Sequence, residues 1–174
     1  MYIRMINKKA TWEQDKDKKI NDLSSDIITG CLRTKENTLS LWELSEETEV
    51  EIDKAILALS SNRDSVQRLD YIIVPDEYLV KYSLKVKNSP GRSPYKDFND
   101  RHFDIINVNY YLLGQVSSMI LDIMNNEGKI KRVHQQKIED DLICAFNRGT
   151  LNKTAMSQKL LDNIKEITDM LAMV

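Results

Sequence analysis

The hydrophobic period of this chain changes once along its length, and that change limits the folds open to it. Before residue 88, short runs rich in β-branched and aromatic residues, above all Leu69 to Val74 ahead of Pro75, read as strands. After residue 101, apolar residues return at steps of three and four, the spacing of helices. Between the two, the stretch from Asn88 to Asn99 holds Pro90, Gly91, Ser93 and Pro94 and keeps neither period. The pattern predicts a single α+β domain over 1–174: a small mixed N-terminal β-sheet with helices over 1–87, a loop over 88–101, and a C-terminal packed set of three helices over 102–174. A chain of 174 residues is long enough for one core to bury most of its apolar surface.

Within the first half, Tyr2, Ile3 and Ile6 suit a short edge strand, and Thr11 with Gln14 has the spacing of a capping box. Ile20, Leu23 and Ile27 recur at helical intervals up to Gly30, which can end a helix. Leu39 and Leu41 face one way along a strand and Trp42 the other. Ser45 stands where it can cap a helix whose first turn carries Glu46 and Glu47 and whose inner face carries Ile52, Ile56 and Leu59. Tyr82 to Val86 is a further strand candidate.

In the second half, Phe103 to Met124 reads as a central helix with Ile106, Leu113, Ile120 and Met124 on one face. Gly114 and Ser118, four apart, offer a place for a neighbour to approach. A turn at Asn126 to Gly128 leads to a second helix through Ile138, Leu142 and Phe146, with Gly149 past its end. Leu160, Ile164, Ile167, Leu171 and Val174 form the seam of a third, which packs within the chain or, as an alternative, makes a homodimer.

Several functions are disfavoured by composition. A net charge of -2 supplies no global field for nucleic acid or an anionic membrane. The apolar stretch at Phe103 to Met124 contains Asp104, Asn107, Asn109, Gln115 and Asp122, too many polar groups for a lipid-facing helix, so no membrane partner is expected. Cys31 and Cys144 lie far apart with no metal-ligand spacing, and the start of the chain lacks a secretory pattern, which together point to the cytoplasm. Neither a phosphate-cradling glycine turn nor a hydrolase or zincin motif is present, and no cofactor or metal is expected. Pro75-Asp76 and Glu127-Gly128-Lys129 resemble pieces of metal-dependent nucleases, but the second falls in a helix-to-helix turn. Asp100, His102 and Asp104 could ligate a metal or exchange protons; capping and first-turn roles explain the two aspartates more simply.

Charge is segregated. Glu43, Glu46, Glu47, Glu49, Glu51 and Asp53 form an acidic stretch, and Lys81, Lys85, Lys87, Arg92, Lys96 and Arg101 a basic one interleaved with Tyr82, Tyr95 and Phe98. The candidate binding residues are Lys85, Lys87, Arg92, Tyr95, Lys96, Arg101 and His102. The resulting expectation is a non-catalytic protein-interaction protein, a regulatory or inhibitory partner of another protein. The alternative is a small nucleic-acid-binding or nucleic-acid-processing protein that attracts single-stranded phosphate backbone and stacks bases on those aromatics.

Overall fold

The computed structural model describes residues 1–7, 9–128 and 130–172. Its strands are β1 (Tyr2–Ile6), β2 (Leu39–Glu43), β3 (Leu69–Val74), β4 (Val86–Asn88), β5 (His102–Ile105) and β6 (Lys131–Val133). The helices are α1 (Lys9–Asp15), α2 (Ser25–Cys31), α3 (Glu49–Ser61), α4 (Asp76–Lys81), α5 (Tyr110–Asn126), α6 (Gln135–Asn147) and α7 (Gln158–Ala172). All strand pairings are antiparallel, in the order β4-β5-β2-β1-β3-β6. The α+β class expected from the changing period is therefore what the chain adopts.

Alternation along the strands feeds two cores. Tyr2, Ile6, Leu39, Leu41, Ile72, Val74 and Ile105 point to one face, where Trp12, Ile27, Leu79, Val116, Ile120 and Met124 cover them. Ile3, Trp42, Leu69, Tyr71 and Ile73 point to the other, covered by Ala55, Ile56, Ile138, Leu142, Leu160 and Ile164. Leu39 and Leu41 thus face inward with Trp42 opposite, as read from sequence. The three C-terminal helices are present, but α5 packs on the first face while α6 and α7 pack on the second. No helix among the described residues is long and apolar enough to cross a membrane.

Several local expectations are corrected. β1 lies between β2 and β3 instead of at an edge, since Tyr2 and Ile3 are buried on opposite faces. The helix expected through Ile20 and Ile27 is broken: α2 starts only after Ser24, whose hydroxyl accepts from the Asp26 amide, and Gly30 lies inside it. Thr48, not Ser45, caps α3 by accepting from the Glu51 amide. Tyr82 ends α4, Ser83 turns the chain at φ 53, and the strand follows at β4.

The largest departure is at 102–109. His102 to Ile105 pairs with both β2 and β4, so Asp104 belongs to a strand and not to a helix's first turn. Asn107 reverses the chain at φ 58, and the Asn109 side chain then caps α5 by accepting from Leu112 at 3.0 Å. A Cβ at Gly114 would meet nothing within 4 Å, so no neighbour among the described residues uses that gap. In the last helix Leu160 and Ile164 are buried within the chain; the side chains of Leu171 and Val174 lie outside the described residues.

Candidate functional site

The 88–101 segment is held down at its centre. Ser93 is buried, its hydroxyl donating to the Ala58 carbonyl at 2.9 Å and meeting the Ser61 hydroxyl at 3.0 Å, while its amide donates to the Asn99 side chain. Gly91 lies against Trp42 so closely that a Cβ there would stand 2.7 Å from the indole ring. Asn88 closes the base by donating to the Asp100 and His102 carbonyls. From Lys96 to Arg101 the chain makes a 3-10 turn.

This packing separates the seven candidate binding residues. Arg101 bonds Glu51 at 3.3 Å and lies 5.7 Å over the Phe98 ring, which makes it part of the scaffold. Tyr95 stacks on Phe98 at 6.4 Å, and Phe98 stacks on Trp42 at 5.9 Å. Lys85, Lys87 and Lys96 are exposed around β4 and the 3-10 turn. Only Arg92 and His102 enter a common cleft. The His102 ring meets Trp42 edge-on, and its Nδ1 lies 2.5 Å from the Ser89 carbonyl, an interaction that fixes its orientation.

Three of the six acids of the acidic stretch, Glu47, Glu51 and Asp53, are spent on ion pairs. Glu51 is buried and accepts from Lys54 at 2.7 Å, from the Ser45 hydroxyl at 2.8 Å and from Arg101. The Lys54 hydrogen bond, aided by those from Ser45 and opposed by burial, lowers the Glu51 pKa to about 2. Glu47 pairs with Lys131 at 2.6 Å and Asp53 with Lys137 at 2.8 Å. Among the described residues, no three histidine, cysteine or acidic side chains gather where they could hold a metal, so Asp100, His102 and Asp104 do not converge as ligands.

The cleft itself opens where β1 and β2 part. They are paired only at Tyr2↔Glu43 and Ile3↔Trp42, whereas β1 stays paired with β3 through Ile6 and β2 with β5 back to Leu39. A space of about 670 Å³ results, within the size range of ligand pockets. Arg4 lines it from β1, Arg33 and Lys35 from the link between α2 and β2, and Arg92 and His102 from the clamped segment. Glu36 and Asp104 add two carboxylates. None of Arg4, Arg33, Lys35 and Arg92 makes an ion pair among the described residues.

Arg4, Arg33 and Lys35 escaped the sequence reading because they belong to no run of basic residues. One signal was present: Arg4 interrupts Tyr2-Ile3-Arg4-Met5-Ile6, an otherwise apolar strand buried on both faces. Compared with known proteins, the chain matches no protein-family model, no curated protein and no solved structure.

Proposed function

We propose that this is a non-catalytic interaction protein that recognises an acidic segment of a partner protein through the cleft between β1 and β2. The observation that carries the reading is the contrast in charge pairing. Cations from separate parts of the chain line one open space without ion-paired acids of their own among the described residues, while Glu47, Glu51 and Asp53 are each paired internally. A ligand with negative charge supplies what the cleft lacks, and charge complementarity of this kind sets encounter rate and partner choice.

Two features favour an acidic peptide over single-stranded nucleic acid. The aromatics that would stack bases are engaged: Phe98 is 3% exposed within the Tyr95–Phe98–Trp42 stack, and the Tyr82 hydroxyl donates to Asp122 at 2.9 Å. Glu36 and Asp104 oppose an unbroken row of phosphates, whereas a peptide can vary its charge from residue to residue. A non-catalytic role is supported by His102, whose hydrogen bond among the described residues goes to a backbone carbonyl and not to a nucleophile. A regulatory or inhibitory role in the cytoplasm, where free Cys31 and Cys144 would stay reduced, completes the reading.

The test is a paired titration by fluorescence anisotropy, using a labelled oligoglutamate peptide and a labelled oligothymidylate of equal charge. The reading expects saturable, salt-sensitive binding of the peptide and weaker binding of the oligonucleotide. Preference for the oligonucleotide would replace it with the nucleic-acid alternative.

A further inference from the structure

Resting on the acidic-segment reading, we propose that Arg4, at the floor of the opening between β1 and β2, is the anchor that takes one carboxylate of the bound partner. Arg4 is only 6% exposed and sits in the middle of a central strand. Its Nη1 donates to the Ser40 carbonyl at 2.8 Å and its Nη2 to the Cys31 carbonyl at 3.4 Å. Its Nε is buried and has no hydrogen-bond partner among the described residues. A guanidinium carries five N–H donors, so two carbonyls leave most of this one's capacity unused.

The electrostatics are equally incomplete. Burial lowers the Arg4 pKa, with Cys31 acting in the opposite sense, but a guanidinium in a protein stays protonated. Its positive charge is therefore held in the interior without an ion-paired carboxylate among the described residues, an arrangement costly to the free protein. Glu51, the buried acid in the first turn of α3, is by contrast neutralised by Lys54 and Arg101. The two carbonyl contacts give Arg4 a structural part in bridging the parted strands, yet neutral carbonyls cannot cancel its charge.

A carboxylate fits better than a phosphate. The planar fork of a guanidinium matches two carboxylate oxygens, and Arg92 at the cleft wall can add a second cation. Glu36 and Asp104 repel a dianionic phosphate more strongly than a monoanionic carboxylate. The carboxylate can come from an acidic side chain or from a chain terminus, and the two sources are separable by amidating the peptide.

The experiment follows the Arg4 Nε–Hε resonance in protein labelled with ¹⁵N-arginine, identified by its loss in Arg4→Lys. Titrants are oligoglutamate with a free C-terminus, the same peptide amidated, glutarate and inorganic phosphate. The proposal expects the resonance to shift and its proton exchange to slow with the free-acid peptide; loss of the effect on amidation assigns the anchored group to the terminus, and its retention assigns it to a side chain. Arg4→Met should weaken peptide binding at least about tenfold while the unfolding midpoint holds or rises. A shift with glutarate but no peptide binding would keep the anchor and remove the acidic-segment reading. Peptide binding that leaves the Arg4 resonance unmoved would overturn the anchor and keep that reading. Displacement of bound peptide by phosphate but not by glutarate would also overturn the carboxylate assignment. If Arg4→Met does not fold, the wild-type titration decides without it.

Discussion

Two buried charges, Glu51 and Arg4, stand on either side of the same sheet and have opposite surroundings. Glu51 collects donors from Ser45, Lys54 and Arg101, and its charge is matched within the chain. Arg4 collects two carbonyls, leaves Nε unbonded among the described residues, and borders an open cleft. The first arrangement ties the 3-10 turn to α3 and belongs to stability. The second leaves a charge to be matched from outside and belongs to binding. Position in the basic or acidic stretch does not distinguish such roles; the pairing of each group does.

The sharpest way to break this contrast is to remove the satisfied charge. Glu51→Ala is expected to cost about 2–3 kcal/mol, because it strips acceptors from three groups, with the figure held down by the partial exposure of Lys54 and Arg101. Chemical denaturation measures it, and a change under about 0.5 kcal/mol would make this corner an ordinary surface. The same contribution has a pH signature. The folded-state pKa of Glu51, about 2, lies below its ordinary value of 4.5, so its stabilisation is present above about 4.5 and fades as pH falls toward 2. Wild type and Glu51→Gln should therefore differ in stability at neutral pH and converge in acid; a constant gap would contradict the assignment.

A smaller effect is expected at the cleft wall. Gly91→Ala places a methyl group 2.7 Å from the Trp42 ring and should cost about 1–2 kcal/mol through overpacking. Unfolding midpoints test this, and an unchanged value would show that the segment moves aside freely. Smaller still is the expected response of Lys85→Gln, Lys87→Gln and Lys96→Gln together. These side chains are exposed, so the unfolding free energy should stay within about 0.5 kcal/mol of wild type by denaturation. A larger loss would place them in the scaffold with Arg101.

How far the sequence was legible follows the strength of local pattern. Leu69–Val74 was readable residue for residue because five of its six positions are aliphatic or aromatic and a proline follows. Ile138, Leu142 and Gly149 were readable because period and αL terminator agree: Gly149 has φ 72. β6 was not, since Lys131–Val133 is too short to show a period, and β5 was absorbed into the helix that follows it. The cleft was the least legible part. It arises where β1 and β2 stop pairing, a matter of tertiary register, and it unites Arg4, Arg33, Lys35 and Arg92 from distant parts of the chain. Arg92 was found through the basic stretch and His102 through its place beside Arg101, whereas Lys85, Lys87 and Lys96 share the stretch's charge without lining the cleft.

If the cleft is the binding surface, cations inside it matter more to binding than cations outside it. Anisotropy titration of labelled oligoglutamate against wild type, Arg33→Gln/Arg92→Gln, and Lys85→Gln/Lys87→Gln/Lys96→Gln compares cations inside the cleft with cations outside it, the cleft variant making the smaller change in charge. Binding at the cleft should weaken at least about tenfold for the arginine pair and change within about threefold for the three lysines, despite their greater loss of charge. Weaker binding in proportion to charge removed, with the lysine variant the more affected, would contradict it.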